Sequence, residues 1–243
     1  MNSQPALQMQ HIRKTFPGVI ALDDVSFALQ KGEVHILLGE NGAGKSTLMK
    51  ILSGAYQKTA GELELNGQAV EIKSPKHAQE LGIGIIYQEL NLVPQLSAAE
   101  NIFLGRERMY FGLVDRGAME REAARLLTEL GIEIDVRRPV RELSIAAQQM
   151  VEVAKAISLN ARILIMDEPT SALTEHEINE LFARIRQLKT TGVSIVYISH
   201  RMEELFAIGD RVTVLRDGKN VGTHNIADVT RAELIRLMAN REL

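Results

Sequence analysis

The chain has 243 residues, a length at which α/β proteins commonly form one domain with an attached subdomain. Its 28 basic and 31 acidic side chains give a net charge of -3, so a general electrostatic affinity for nucleic acid or anionic lipid is not expected. The absence of cysteine excludes disulfides and cysteine-based metal sites. No apolar run approaches the roughly 18 residues that span a bilayer, so a role at a membrane requires a partner.

The first part of the chain predicts short strands around a glycine-rich loop. Residues 7–16 (LQMQHIRKTF) and 23–29 (DDVSFAL) have strand patterns, and the apolar run 34–38 (VHILL) is typical of a buried strand. After the loop, residues 47–56 (TLMKILSGAY) place apolar side chains at helical intervals on one face. Residues 66–67 (NG) stand between two alternating runs and predict a hairpin turn in a small antiparallel sheet.

The character of the sequence changes after residues 81–89 (LGIGIIYQE), which predict another strand. Few β-branched runs follow, and residues 118–130 (AMEREAARLLTEL) have a clear helical pattern that Gly131 closes. We therefore expect residues from about 90 to 160 to form a mostly helical subdomain.

The last third of the chain alternates strands and helices. Two apolar strands are predicted at residues 161–168 and 193–199, with an amphipathic helix at 174–188 between them. A hairpin with Asp-Gly at its turn is expected at 210–224, and a short helix at 231–239. This alternation predicts an α/β fold: a parallel core sheet with helices on both faces, an antiparallel β subdomain and a helical subdomain.

Residues 39–46 (GENGAGKS), called the phosphate loop below, fit the pattern G-x-x-x-x-G-K-[ST] between a predicted strand and a predicted helix. Glycines let successive backbone N–H groups point inward, and the helix N-terminus adds a partial positive charge. Lys45 is expected to reach the β- and γ-phosphates of a nucleotide, and Ser46 to offer a hydroxyl to Mg²⁺. The alternative is a glycine-rich turn that caps a helix beside a solvated lysine. The candidate nucleotide-binding residues are Gly39, Asn41, Gly42, Gly44, Lys45, Ser46 and Thr47.

Two acidic residues directly follow the apolar run 163–166. Ligands bind at the carboxyl edge of parallel sheets, so Asp167 is a candidate Mg²⁺ ligand and Glu168 a candidate group to polarise an attacking water. The alternative is a strand-end carboxylate that caps the next helix. Gln88 and His200 also end predicted strands and are candidates for the same crevice, although each alone is more often a hydrogen-bonded loop residue.

Together these motifs resemble the ATP-binding cassette (ABC) ATPases along nearly the whole chain. The shared features are, in order, the phosphate loop, a Gln after IIY, LSIAAQQ, ILIMDEPTSAL and YISH. The resemblance implies a P-loop NTPase (RecA-like) core that hydrolyses ATP with Mg²⁺. It also implies that Gln88 binds Mg²⁺ and senses the γ-phosphate, that His200 is the switch histidine, and that Phe16 stacks on adenine. The alternative for Phe16 is a ring packed in the core. Thr174 replaces the usual interface Asp, and with Glu177 it forms a predicted capping box.

The resemblance is closer to the first cassette of monosaccharide importers of the ribose, galactose, arabinose and xylose type. It rests on KTFPGVIALDDVSF, IIYQELNLVPQLSAAENIFLGRE, QQMVEVAKAIS and IVYISHRMEEL. It implies that residues 1–243 are a single nucleotide-binding domain, peripheral to the cytoplasmic face of the inner membrane. The implied partners are integral membrane permease subunits, a second cassette fused or in trans and, indirectly, a periplasmic sugar-binding protein; nucleic acid is not among them. The end LMANREL resembles the junction to a second cassette, so we expect an isolated or truncated first half. The alternative is a non-transport ABC ATPase, translation- or DNA-associated.

Residues 143–149 (LSIAAQQ) stand where this family has a glycine-rich LSGGQ. Ser144 is predicted to cap the following helix and, by the resemblance, to donate to a γ-phosphate across an interface. We call residues 143–149 the signature. Its alanines keep the backbone N–H groups that would bind a phosphate, but Ala146 adds a Cβ where the phosphate approaches, and the Gln of LSGGQ is missing. In a fused pair this signature would face the second phosphate loop, which is often altered in these importers. We therefore expect LSIAAQQ to complete the weaker site, whereas Lys45 and Glu168 belong to the active one.

Overall fold

The computed structural model describes residues 4–239. Its strands are β1 (Leu7–Phe16), β2 (Val19–Leu29), β3 (Val34–Leu38), β4 (Ala60–Leu65), β5 (Gln68–Ala69), β6 (Ile83–Ile86), β7 (Met109–Tyr110), β8 (Leu113–Val114), β9 (Ile163–Asp167), β10 (Ser194–Ile198), β11 (Arg211–Arg216) and β12 (Lys219–Asn225). Its helices are α1 (Lys45–Leu52), α2 (Pro75–Glu80), α3 (Ala98–Ile102), α4 (Arg116–Glu129), α5 (Ile145–Ser158), α6 (Glu175–Thr190), α7 (Met202–Ile208) and α8 (Arg231–Ala239). None of these helices is long and apolar enough to cross a membrane.

Six strands form the central sheet, in the order β12-β11-β3-β10-β9-β6. All neighbours are parallel except the edge strand β12, which runs antiparallel to β11. Every residue of β3 and of β10 is buried, as expected of parallel strands covered on both faces. The predicted α/β fold with a parallel core sheet is confirmed.

Two hydrophobic cores lie on opposite faces of the central sheet. On one face α1 packs beneath the four-stranded antiparallel sheet β2-β1-β4-β5, with Leu48 and Leu52 beside Leu7. On the other face the sheet packs against α3 to α8, with Val151 of α5 and Ile185 of α6 fully buried. With both faces covered, the carboxyl edge of the sheet is the place left for a ligand site.

Both predicted hairpin turns are present, and their backbone explains the residues found there. Asn66 and Gly67 have φ of 49° and 73°, and Asp217 and Gly218 have φ of 50° and 72°. A two-residue turn with both residues in the left-handed region matches the twist of the flanking strands, and Asn, Asp and Gly enter that region at little cost. The second hairpin also meets the phosphate loop, because the Gly218 N–H donates to the Ala43 carbonyl at 3.2 Å.

Helix α1 is shorter than its sequence pattern predicted. It ends at Leu52 rather than Tyr56, since the chain turns at Gly54 with φ of 73°. A Cβ on Gly54 would lie 2.4 Å from the Ser74 carbonyl oxygen, so the close approach of two backbones fixes the break. Tyr56 still packs against the core from outside the helix, which is why its spacing imitated a helical position.

The stretch from 90 to 160 contains α3, α4 and α5, and also a hairpin that the sequence did not predict. Strands β7 and β8 pair through Tyr110 and Leu113, around a turn in which Phe111 has φ of 45°. Left-handed backbone is uncommon for an aromatic residue, so the sequence MYFGLV carries no ordinary turn signal before its glycine. The hairpin is largely exposed, and Phe111 is 89% accessible.

Candidate functional site

Several strands end side by side at one edge of the central sheet. Strand β10 pairs in parallel with β9 and β3, so that Ile198 lies beside Asp167 on one side and Leu37 on the other. Strand β6 pairs in parallel with the far side of β9. The loops that follow these strands therefore leave from the same edge: the phosphate loop, the acidic pair, and the segments that carry Gln88 and His200.

The sequence predicted that Gln88 and His200 are the last residues of their strands. In the structure each of them lies two residues beyond the end of its strand. Strand β6 ends at Ile86 and strand β10 at Ile198, and both polar side chains are exposed. The strands looked longer because side-chain burial continues after the backbone pairing has ended: Ser199 is still buried. Both residues therefore lie in loops that leave the central sheet at its carboxyl edge.

Residues of β2 pack closely against the phosphate loop. Gly44, immediately before α1, has φ of 103°, and a Cβ there would lie 2.7 Å from Leu22 Cδ2 and 2.9 Å from the Ala21 carbonyl oxygen. Both the backbone angle and the space therefore require glycine. The N–H groups of the first turn of α1 have no partners within the helix, so they are available to an anion held in the loop.

The ammonium of Lys45 lies inside the phosphate loop. Its Nζ donates to the Gly39 carbonyl at 2.7 Å and to the Glu40 carbonyl at 3.0 Å. Burial lowers the pKa of Lys45, whereas the nearby charges of Glu168 and Asp167 act in the opposite direction. The loop and the acidic pair thus share one electrostatic site. Ser46 is exposed beside this lysine, and Thr47 is half-buried.

The acidic pair has two different environments. Asp167 ends β9 and is half-buried, and its pKa is raised by burial first and then by the negative charge of Glu168. Glu168 has φ of 47°, and its N–H donates to the Ile198 carbonyl at 3.0 Å. Its Oε1 lies 3.1 Å from His200 Nδ1. The structure therefore brings three candidate residues, Asp167, Glu168 and His200, into one constellation.

A buried carboxylate that the sequence reasoning missed connects the segments on either side of this constellation. Glu204, in α7, accepts hydrogen bonds from Thr170 Oγ1 at 2.7 Å, Tyr197 OH at 2.9 Å and Ser199 Oγ at 2.7 Å. Thr170 lies two residues after Glu168, and Ser199 directly precedes the candidate histidine. The sequence shows two adjacent acidic residues shortly after YISH. Nothing in that pattern distinguishes the buried Glu204 from its exposed neighbour Glu203.

The segment that carries Gln88 is tied to the helical stretch rather than to the sheet. The Asn91 N–H donates to Glu152 of α5. Further along, Asn101 of α3 is fully buried and exchanges two hydrogen bonds with Val93, at 2.7 and 3.0 Å. The segment that follows Gln88 is therefore hydrogen-bonded to α5 through Asn91 and to α3 through Val93.

Phe16 and Ser144 lie away from the constellation around Glu168. Phe16 is half-buried at the end of β1, with its ring edge-on to Tyr56 at 5.4 Å and the Lys14 ammonium 4.8 Å from its centre. Ser144 is the N-cap of α5, as the sequence predicted, and its Oγ accepts from the Ala147 N–H at 3.2 Å. It borders a cavity of about 470 Å³ whose lining contains no residue of the phosphate loop.

The oxygen groups at the sheet edge fit a magnesium ion better than a transition metal. Ser46 offers a hydroxyl, Gln88 an amide oxygen and Asp167 a carboxylate, and hard oxygen ligands are those that Mg²⁺ prefers. In residues 4–239 no three His, Asp or Glu side chains are grouped as a closed metal cage. This sparse set is suited to an ion that takes its remaining ligands from substrate phosphates and water.

Comparison with known proteins agrees with this geometry. Residues 22–171 match the family described as ABC transporter. The chain belongs to the ABC transporter family. It is 59% identical over 240 residues to "Ribose import ATP-binding protein RbsA 1" of Rubrobacter xylanophilus, covering 99% of this chain and 48% of that protein. It is 56% identical to "Putative ribose/galactose/methyl galactoside import ATP-binding protein 2" of Burkholderia cenocepacia, covering 99% of this chain and 48% of that protein. The chain thus spans about half the length of the curated relatives it matches.

Solved structures show the same fold at lower identity. A nucleotide-free ATP-binding cassette from an ABC transporter superposes with a TM-score of 0.82 at 23% identity, covering 91% of each chain. A cassette dimer in a post-hydrolysis state, bound to ADP and phosphate, superposes with a TM-score of 0.76 at 24% identity, covering 90% of this chain and 98% of that one. The predicted P-loop NTPase fold is confirmed.

Proposed function

We propose that the chain is the ATP-hydrolysing cassette of a monosaccharide importer, peripheral to the cytoplasmic face of the inner membrane. Residues 1–243 then act as one nucleotide-binding domain, with the stretch from about 90 to 160 as its helical subdomain. The proposal is supported by the constellation at the sheet edge and by the sugar-import names of relatives that are more than half identical.

In this proposal the phosphate loop and its helix hold the nucleotide. Backbone N–H groups between Gly39 and Thr47 and the Lys45 ammonium bind the phosphates, and Phe16 contacts the adenine. Ser46, Asp167 and Gln88 would hold Mg²⁺, which neutralises phosphate charge when it is bound. The pKa of Asp167, raised by burial and by Glu168, is one that a nearby cation would lower again.

The chemical step is assigned to Glu168 and His200. Glu168 orients the attacking water and withdraws its proton, while His200 fixes the carboxylate orientation and contacts the γ-phosphate. The observation that carries this assignment is the 3.1 Å contact between His200 Nδ1 and Glu168 Oε1, next to the lysine of the phosphate loop.

Replacing Glu168 by Gln tests the assignment. Loss of the base should lower steady-state hydrolysis by roughly 100-fold or more, because positioned general bases contribute about 10²–10⁴-fold. Nucleotide binding should persist, and the variant should accumulate an ATP-bound closed state when a competent partner cassette is present. Glu175→Gln, an exposed change at the start of α6, is the matched control. Normal turnover in Glu168→Gln would refute the assignment.

Transport is proposed to follow from closure of two cassettes. ATP held between the phosphate loop of one cassette and the signature of the other favours the closed state only because it binds that state more tightly. Closure moves the helical stretch and, through the segment around Gln88, the integral membrane permease subunits. Hydrolysis removes the γ-phosphate contacts and reopens the pair.

Co-purification separates sugar import from the other roles of this family. The full-length protein should co-purify with integral membrane permease subunits, and its ATP hydrolysis in the membrane complex should rise with a sugar-loaded periplasmic binding protein. Stimulation by nucleic acid or ribosomes, with no membrane partner retained, would replace importer function by a translation- or DNA-associated role.

A further inference from the structure

Glu152 is a buried carboxylate to which the proposed reaction assigns no role. It lies in α5, about two helical turns after the N-cap Ser144, and is only 7% accessible. Its Oε1 accepts from the Asn91 N–H, and its Oε2 has no hydrogen-bond partner among the described residues. Burial raises the pKa of Glu152, although the Asn91 N–H and the charge of Lys155 act in the opposite direction. Because removing a carboxylate from water costs free energy, stability alone does not favour a glutamate at this position.

The packing of α5 on β6 places Glu152 beside the segment that carries Gln88. A Cβ on Gly84 of β6 would lie 3.1 Å from Ala156 Cβ, so the strand and the helix are in close contact there. Glu152 lies one turn before Ala156 on the same face of α5. Strand β6 has already ended where the Asn91 N–H meets the glutamate. Helix α5 therefore contacts both the strand and the segment that follows it.

Gln88 lies between two points at which the backbone is held. Ile86, the last residue of β6, pairs with Met166 in the central sheet. Asn91 is held by its hydrogen bond to Glu152. Only the four residues 87–90 separate these two points. The bond to Glu152 thus restricts the conformations open to a short exposed link and lowers the entropy that Gln88 would lose on binding a ligand.

We propose that Glu152 is a positioning residue for Gln88: through the Asn91 N–H it holds the segment in the place from which the Gln88 amide oxygen binds Mg²⁺. This inference rests on the proposed function, in which Gln88 is a ligand of the ion. Groups that orient a metal ligand typically change metal affinity or activity by about 10–100-fold when they are replaced. In this arrangement Glu152 touches neither the ion nor the nucleotide, and its whole effect passes through Gln88.

Equilibrium binding of a non-hydrolysable ATP analogue to the full-length protein tests the inference without turnover. E152A removes the acceptor of the Asn91 N–H, so it should raise the Kd measured in Mg²⁺ about tenfold. The Kd measured in EDTA should stay within about twofold, which also shows that the variant folds. E152M fills more of the same space without an acceptor and should behave like E152A. The Mg²⁺ concentration for half-maximal ATP hydrolysis should rise in both variants.

The conservative variant E152Q should restore the wild-type Kd in Mg²⁺. Its side chain keeps an oxygen toward the Asn91 N–H and places its NH₂ group where Oε2 of Glu152 has no partner. The matched control E129A removes an exposed carboxylate at the end of α4 and should change neither Kd. If E152Q binds as weakly in Mg²⁺ as E152A, the hydrogen bond to Asn91 is not what positions the segment.

A double-mutant cycle with Gln88→Ala shows whether Glu152 acts through Gln88. Q88A should itself raise the Kd in Mg²⁺. Adding E152A should then change that Kd by less than about twofold, because the side chain to be positioned is absent. A structural role of Glu152 elsewhere in α5 would add its full effect in the Q88A background and would overturn the inference.

The outcomes distinguish failure of this inference from failure of the proposed function. If Q88A leaves the Kd in Mg²⁺ unchanged, the role given to Gln88 in the proposed function is wrong, and the inference fails with it. If Q88A raises this Kd but E152A and E152M do not, only the positioning role of Glu152 is overturned.

Discussion

Glu168 carries the clearest sign of a built site at the scale of single residues. Its left-handed backbone costs roughly 1–2 kcal/mol for a residue with a Cβ, and such strain persists only where the surroundings hold it in place. Here the Ile198 carbonyl holds its N–H and His200 contacts its carboxylate. Glu168 directly follows the end of β9, and in this backbone conformation its carboxylate lies beside the histidine.

Glu204 is predicted to position this pair without touching substrate. Gln in its place has one acceptor oxygen where three hydroxyls, from Thr170, Tyr197 and Ser199, now donate to two. We expect Glu204→Gln to lower kcat about tenfold or more with little change in KM for ATP. The free energy of unfolding should fall by about 1–3 kcal/mol, the cost of leaving buried polar groups unsatisfied.

The neighbouring residue provides the control for Glu204. Glu203 is exposed and bonded to Arg231, so Glu203→Gln should change stability by less than about 0.5 kcal/mol and leave kcat unaltered. Steady-state kinetics and urea unfolding distinguish the two roles of Glu204. A variant Glu204→Gln that loses stability but keeps full kcat would show a purely structural residue.

The turn that precedes β3 predicts a pH dependence at the scale of elements. Burial favours the neutral form of Glu33, but paired hydrogen bonds from Arg211, at 2.8 and 2.9 Å, and one from His35 outweigh it and lower its pKa to about 2. Because the folded pKa lies below the unfolded value of about 4.5, the stabilisation is complete above pH 4.5 and is lost as pH falls toward 2.

Glu33→Gln should therefore lose about 3 kcal/mol of unfolding free energy at pH 7, the equivalent of this shift, and the difference from wild type should shrink below pH 4.5. Urea unfolding at a series of pH values measures it. Burial lowers the pKa of His35 and its contact with Glu33 raises it, so the measured difference between the two proteins also includes the change at His35 when Glu33 is replaced. Glu62→Gln, an exposed change on β4, should be neutral throughout.

Substitutions in the first turn of α5 test whether LSIAAQQ completes the weaker of the two nucleotide sites. Ala146 and Ala147 occupy its first turn, capped by Ser144. The double change Ala146→Gly with Ala147→Gln should barely change steady-state hydrolysis in the full transporter, because in the proposed fused pair residues 143–149 would face the phosphate loop of the second cassette. The Gly substitution should cost up to about 1 kcal/mol of helix stability. A several-fold rise in hydrolysis would defeat the assignment.

Elements were predictable from the sequence where a local backbone rule decided them. Asn66-Gly67 and Asp217-Gly218 enforce their turns, and Ser144 caps its helix through its own hydroxyl. The end of α1 and the β7–β8 hairpin were not predictable in this way. The end of α1 depends on the close approach of Gly54 to the backbone of Ser74, and the hairpin depends on the left-handed backbone of Phe111.

At the scale of the whole molecule, the sequence predicted only those parts of the candidate site that lie within a single short motif. The phosphate loop and the acidic pair each lie within one short segment, and parallel strands necessarily bring such segments to a common edge. Glu204 was missed because its partners Thr170, Tyr197 and Ser199 come from two separate strand ends. Burial, rather than residue type, is what distinguishes it.

The state of assembly gives a final prediction, since an isolated chain can pair only with itself. In such a homodimer both phosphate loops would face LSIAAQQ. Weak binding of ATP by this signature would then lower the fraction of dimer. We expect the chain to be monomeric without nucleotide, and Glu168→Gln with ATP and Mg²⁺ to dimerise only weakly. Adding Ala146→Gly and Ala147→Gln to the Glu168→Gln variant should raise the dimer fraction several-fold, measured by light scattering, although the same two changes barely affect the full transporter. A stable dimer without ATP would contradict the expectation, because the interface is then not held by nucleotide.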